Sequence, residues 1–309
     1  MAGHHEVLTR FHCPPDNDRD HYCGEVSTYP SIDESVLRHC PVVSSSINYL
    51  GEMDVLPVFY SERYDLNNLV LEPSTVEIRD ARKLPDEPEL EVNGFTLVTH
   101  KTQVRDFEDQ DEAAKIYRPE IEELILDMTG ADKVVVTNTV LRWSERAGDT
   151  SAFVNSRPAR FVHVDYSHKS FEDFARIHLA DSADIDARLK RRFVAYNIWR
   201  VLTPPPQDAP LTVCDARTAR PDDVTEGEAV IDAPGKPEMR FGSSLYHANP
   251  DHRWFYFSDM QLDEALVFKA FDSDPDRVQG CPHSAFNDPN CPDNVPPRAS
   301  AEIRAYAYF

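Results

Sequence analysis

From Phe193 to Phe309 the sequence is a succession of short β-branched and aromatic runs: "FVAYNIWRVL", "LTVCDA", "EAVIDA", "RWFYFSDM", "EALVFKAFDS" and "SAEIRAYAYF". Clusters of Pro, Gly and Asp separate them. Strands at this spacing bury their apolar faces only by closing into a barrel or stacking as a sandwich. Helical signals lie before and within the region, so the expected fold is mainly β with flanking helices. One helix carries Ile121, Leu124, Ile125 and Met128 on its apolar face, with Pro119 in its first turn and Gly130 as its stop. "SHKSFEDFARIHLADSADIDARLKRR" reads as one or two helices to about Arg192, with Ser170 and Asp173 resembling a cap. Upstream, Asn93-Gly94 marks a tight turn between two strands, and "DKVVVTNTVLRW" reads as a further strand. Residues 1–45 read as an extended or irregular arm. The expectation is one domain over 1–309, with its β core at about 155–309.

The net charge of -22 argues against a nucleic-acid partner, because phosphate backbones are bound by clustered cations. No apolar run is long enough to cross a bilayer. The opening "MAGHHEVLTRFHCPP" has no basic region followed by an apolar stretch, so no secretory leader is read and the cytoplasm is expected. Six cysteines without any C-x-x-C are expected as free thiols rather than a disulfide frame. A small-molecule substrate fits these bounds, and the oligomeric state stays open.

The stretch "RFVHVDYS" places a histidine and an aspartate two residues apart, at His163 and Asp165. With 12 histidines and 54 acids, about two His-x-acid pairs arise by chance, and the chain has two. In a strand, however, positions i and i+2 face the same way, so imidazole and carboxylate reach a common point. A metal would need a third ligand, and a 2-His-1-carboxylate triad leaves coordination positions open for reactants. His283, in "GCPHSAFNDPNCP", is the best candidate, with His247 and His252 of "YHANPDHRW" as competitors. Cys281 and Cys291 flank it, but structural zinc wants close cysteine pairs. His168 reads as exposed. Further on, Arg298 and Ser300 share a strand face, and a guanidinium beside a hydroxyl suits a carboxylate. Arg304 shares that face and is expected to pair with Glu302 or another acid.

The order His-x-Asp, distant His, Arg-x-Ser resembles the Fe(II)/2-oxoglutarate-dependent oxygenases, which have a double-stranded β-helix (jelly-roll, cupin-like) core. It is most similar to their hydroxylase/desaturase-like branch of secondary metabolism, which includes gibberellin A4 desaturase-like and cephamycin 7α-methoxylation-related proteins. "VEIRDAR", "NGFTLV", "FVHVDYS", "NIWRVL", "LTVCDA", "HRWFYFSDMQLDEALVFKAFDS", "PHSAF" and "RASAEIR" carry the resemblance, from about residue 76 onward. One departure is Ala299, where the branch usually has Glu between the Arg and the Ser. The resemblance implies Fe(II) held by His163, Asp165 and His283, with 2-oxoglutarate reaching Arg298 and Ser300. It implies O2 as oxidant and hydrogen abstraction from a small molecule, leading to hydroxylation, desaturation or ring closure.

Arg200 and Asn197, in "NIWRVL", are the candidate substrate-binding residues. An arginine in so apolar a strand needs a partner, either a substrate carboxylate (an amino acid or related acid) or a bracing contact. Trp199 between them reads as packing. Two other functions compete. One is an iron oxidase with the same triad but no 2-oxoglutarate, and the other is a metal-free β-barrel binding protein. Succinate released per turnover separates the first competitor, and stoichiometric iron binding the second.

Overall fold

The computed structural model describes residues 37–144, 155–156, 158–233 and 235–309. Most of the expected arm, residues 1–36, lies outside the described residues, as do Cys13 and Cys23. The first strands are β1 (Val42–Leu50), β2 (Val58–Tyr60), β3 (Leu71–Asp80), β4 (Phe95–Thr99), β5 (Lys133–Val136), β6 (Val140–Trp143), β7 (Asn155–Ser156) and β8 (His163–Val164). Then come β9 (Phe193–Val201), β10 (Leu211–Cys214), β11 (Val224–Ile231), β12 (Met239–Tyr246), β13 (Trp254–Tyr256), β14 (Glu264–Asp272), β15 (His283–Ala285) and β16 (Ala299–Tyr308). Helix α1 (Gln110–Thr129) joins β4 to β5; α2 (His168–His178) and the single turn α3 (Ile185–Arg188) join β8 to β9.

The strands form two sheets. Nine run in the order β1-β3-β13-β10-β15-β8-β12-β11-β2, and seven form the other, β4-β14-β9-β16-β6-β7 with β5 also on β16. One core lies between the sheets, joining Val164, Phe193, Ala195, Trp254, Phe271, Tyr306 and Tyr308. A second lies on the outer face of the seven-stranded sheet, where α1 packs Tyr117, Ile121 and Ile125 against Tyr196, Ile198, Ile303 and Ala305. On β16 the residues facing the helix include Ala305 and Ala307, whose small side chains let the helix approach closely. Every residue of β9 is buried because one face meets the opposite sheet and the other meets α1.

Four local readings change. Helix α1 begins at Gln110, not near Pro119: Asp109 caps it by accepting from the amides of Asp111 and Glu112. Its buried face, Ala113, Tyr117, Ile121 and Ile125, keeps a spacing of four straight past Pro119. Helix α2 is capped by Ser167, whose hydroxyl accepts from Ser170 N, and not by Ser170 itself. "DKVVVTNTVLRW" is two strands, β5 and β6, both paired with β16. The Asn93-Gly94 turn exists, with Gly94 at φ 86°, but it is no hairpin because β3 and β4 enter different sheets. β12 escaped the sequence reading because Gly242, Ser243 and Ser244 dilute its strand signal. Cys40, Cys214, Cys281 and Cys291 are free, and no described helix is long and apolar enough to cross a membrane.

Candidate metal centre

β8 and β15 pair antiparallel with His163 directly opposite His283. Residues opposite one another in such a pair project to the same side, so the two imidazoles converge. Their ring centroids lie 4.4 Å apart. β8 stops after Val164, yet Asp165 just beyond it still reaches the same point, with Oδ1 3.9 Å from His163 Nε2. Ligand atoms of His163, Asp165 and His283 all lie within 4.8 Å of one another, and all three residues are buried. Among the described residues this is the only group of three or more such side chains placed to hold an ion.

The tautomers suit a metal. His163 Nδ1 lies 2.9 Å from the Phe161 carbonyl, and His283 Nδ1 3.2 Å from that of Cys281. A carbonyl can only accept, so each Nδ1 carries the hydrogen and donates, leaving an Nε2 lone pair for an ion. Burial, then the neighbouring His283, lowers the His163 pKa to about 4, so this ring is neutral at physiological pH. Burial would raise Asp165, but Arg304, His283 and His163 outweigh it and hold the carboxyl well below its ordinary range. Two imidazoles and one carboxylate form the facial donor set suited to Fe(II).

The competing histidines are engaged elsewhere. His247 bonds to the Thr225 hydroxyl and the Leu50 carbonyl. His252 Nδ1 faces Tyr49 Oη at 2.9 Å and its Nε2 faces Asp223 at 3.2 Å. Trp254 Nε1 donates to the same Tyr49 oxygen. His168 is exposed at the start of α2, as expected.

His283 owes its place to a close approach upstream. A Cβ on Gly280 would lie 2.4 Å from the Ala270 carbonyl oxygen, and Cys281 N donates to Lys269 O at 2.8 Å. Only glycine lets this segment lie flat on β14 before it turns into β15. Gly280→Ala is expected to destabilise the fold by about 1–3 kcal/mol and to weaken iron binding, measured by thermal melts and anaerobic Fe(II) titration. A variant with unchanged melting and unchanged iron affinity would refute this.

Strand parity sorts the remaining candidates. Ser300, Glu302 and Arg304 of β16 lie opposite Val201, Trp199 and Asn197 of β9. This is the inner face, because Asn197 Nδ2 donates to Asp165 Oδ2 at 2.5 Å across the barrel. Arg298 is buried just before β16, donates from Nη1 to Ser300 Oγ, and stacks 5.4 Å over the Trp199 ring. Its Nε has no partner. Burial, then neighbouring Arg142, pushes its pKa down to about 9, as fits a cation short of an anion.

Arg200 is not brought to this site. It lies opposite Ala301 on the outer face, donating from Nη2 to the His100 carbonyl at 2.5 Å and sitting 5.3 Å over the Tyr117 ring of α1. A groove of about 350 Å³ beside it is bordered by Thr102, Val104, Phe107 and Leu262 and contains none of the three candidate ligands. The expectation that Arg200 faces the metal cavity is therefore corrected: strand alternation turns it the other way. Asn197 does face inward: its Nδ2 donates one hydrogen to Asp165, and its Oδ1 is buried without a partner, so it stays a candidate for substrate contact. Arg200→Met is expected to lose about 1–2 kcal/mol of stability through the charged bond to His100. Coupling of 2-oxoglutarate consumption to substrate oxidation should stay intact; uncoupled turnover would restore the substrate role. Arg304, expected to pair with Glu302 or another acid, pairs with Glu302 and with Asp165 itself.

The family described as "Oxidoreductase/YMDC permease-like domain" matches residues 47–308. The hydroxylase/desaturase CTB9 of Cercospora beticola is 32% identical over 255 residues, 77% of this chain and 77% of its own length. The Fe(II)/2-oxoglutarate-dependent dioxygenase nvfI of Aspergillus novofumigatus is 29% identical over 241 residues, 76% of this chain and 84% of its own. A solved structure of the iron and α-ketoglutarate-dependent endoperoxidase NvfI aligns with a TM-score of 0.73 at 25% identity, covering 86% of this chain and 98% of that one. The likeness bears out the double-stranded β-helix that the family resemblance implied, and with it the barrel or sandwich read from the strand pattern. By sequence, by fold and by the buried histidine–aspartate–histidine cluster, the chain belongs to the Fe(II)/2-oxoglutarate-dependent oxygenases, among their hydroxylase/desaturase relatives.

Proposed function

We propose that His163, Asp165 and His283 hold Fe(II), and that Arg298 with Ser300 receives the distal carboxylate of 2-oxoglutarate. The observation that carries the reading is the convergence of two imidazoles with free Nε2 atoms on a buried carboxylate. The unpartnered Arg298 Nε supports the cosubstrate half. When bound, the iron and its cosubstrate activate O2 and supply the oxidising power for removing a hydrogen atom from a C–H bond. The chain's own contribution is placement. Backbone carbonyls orient both imidazoles, Arg304 and Asn197 orient Asp165, and Trp199 supports the Arg298 guanidinium. The surrounding apolar core keeps water from the reacting atoms.

We read the described residues as one oxygenase domain acting on a small molecule of secondary metabolism. Relatives named hydroxylase/desaturase and endoperoxidase bracket the outcome: insertion of oxygen, loss of two hydrogens, or capture of O2. The idea of an acidic substrate rested on Arg200, which the outer-face position leaves without support. Free Cys40, Cys214 and Cys281, all buried, are in keeping with a reducing compartment such as the cytoplasm. The test is a screen of candidate small molecules for stimulated succinate release, with mass analysis of each product. Oxidised product without stoichiometric succinate would replace this reading with a 2-oxoglutarate-independent oxidase.

A further inference from the structure

Asp165 is held by more than the geometry of a ligand requires. Its Oδ2 accepts from Asn197 Nδ2 at 2.5 Å and from Arg304 Nε at 3.2 Å, while its Oδ1 accepts from Arg304 Nη2 at 2.8 Å. Oδ2 thus takes two hydrogen bonds, which occupy both its lone pairs. Oδ1 takes one, and it is Oδ1 that lies toward His163 Nε2. Arg304 is itself fixed from behind, because the same Nη2 donates to Glu302 Oε1. Glu302 Oε2 in turn accepts from Arg142 Nε at 3.3 Å. Glu302 is nearly fully buried at 5% exposure, so this is an interior network rather than a surface pair.

Resting on the ligand roles proposed above, we infer that Arg304 is a positioning residue that restricts Asp165 to one-oxygen coordination, with Oδ1 toward the iron and Oδ2 withheld from it. A carboxylate free to swing could ligate through both oxygens and take a position that keto acid or O2 needs. An Asp165 gripped on both oxygens by one planar guanidinium cannot rotate about its Cβ–Cγ bond without breaking two charge-assisted bonds. Glu302 fixes the guanidinium plane and so acts one step further back.

Arg304→Lys keeps the charge but offers no planar fork, and Glu302→Gln keeps Arg304 while loosening its anchor. In the full chain, anaerobic Fe(II) with 2-oxoglutarate gives a visible charge-transfer band whose position reports the iron's ligands. Arg304→Lys is expected to shift that band, weaken Fe(II) binding about 10–100-fold, and raise 2-oxoglutarate consumed per product formed. Glu302→Gln is expected to shift the band in the same direction by less. An unshifted band and wild-type coupling in folded Arg304→Lys overturn the inference. If Arg304→Lys does not fold, Glu302→Gln decides alone, and an unshifted band there overturns it equally. Asp165→Ala separates this failure from failure of the ligand assignment. If that variant keeps iron and the band, Asp165 is not a ligand; if it loses both while the other two variants match wild type, only the role of Arg304 falls.

Discussion

His283→Ala is expected to lose stoichiometric Fe(II) binding and all measurable turnover, and His163→Ala and Asp165→Ala to do the same. A facial triad has no spare protein ligand, and the described residues hold no fourth donor that would fill the place. The neighbouring histidines supply the control. His247→Ala should keep iron and turnover while losing some stability, because its ring joins Thr225 to the Leu50 carbonyl. His252→Ala should lose more stability, since it leaves Tyr49 and Asp223 short of a partner in a buried cluster. Anaerobic iron titration with a melting curve on each variant separates the outcomes. Iron retained by His283→Ala and lost by His247→Ala would displace His283 from the triad.

The second large effect concerns the cosubstrate. Arg298→Ala should leave iron binding intact while raising the 2-oxoglutarate requirement roughly thirtyfold or more, the consequence of removing one side of a buried charge pair worth about 2–5 kcal/mol. The fold should tolerate the change: the free guanidinium is buried without a partner on Nε, so its removal also relieves a desolvated charge. Ser300→Ala should act in the same direction by only about fivefold, as fits loss of a neutral donor of about 1 kcal/mol. Steady-state succinate release against 2-oxoglutarate concentration gives both numbers. An unchanged KM in Arg298→Ala would remove it from the cosubstrate site.

The metal centre was legible in the sequence because its logic is local: two positions apart on a strand fixes a shared face, and the distant histidine followed an apolar strand. Setting the competitor His252 aside needed the hydrogen bonds, since nothing in "YHANPDHRW" reveals that it is committed to Tyr49 and Asp223. The placement of Arg200 departs from expectation for a reason the sequence did contain. Asn197 and Arg200 are three positions apart, an odd spacing that cannot place both on one face of a regular strand. The uniform burial of β9 hid the alternation that would have drawn attention to this. Arg304 was read as an ordinary ion-pair former, and so it is, but which acid it grips depends on β9 and β16 pairing side by side with their inner faces toward Asp165. Pro119 misplaced the start of α1 because a proline is equally at home in a first turn and, at some cost, on an exposed face mid-helix.

The direct pairing of His163 with His283 makes the metal centre a detector of strand registration. Slipping β8 by one residue against its neighbours would turn Val162 and Val164 toward the cavity and both ligands of that segment away from it. A misregistered chain could still bury apolar side chains, since those valines are as buried as the histidine they would replace. It could not bind the ion. Iron would therefore draw population toward the correctly registered molecule by mass action, in proportion to its affinity for that form alone. Protein produced under iron starvation should contain a compact fraction that resists later loading, and unfolding followed by refolding with Fe(II) present should recover it.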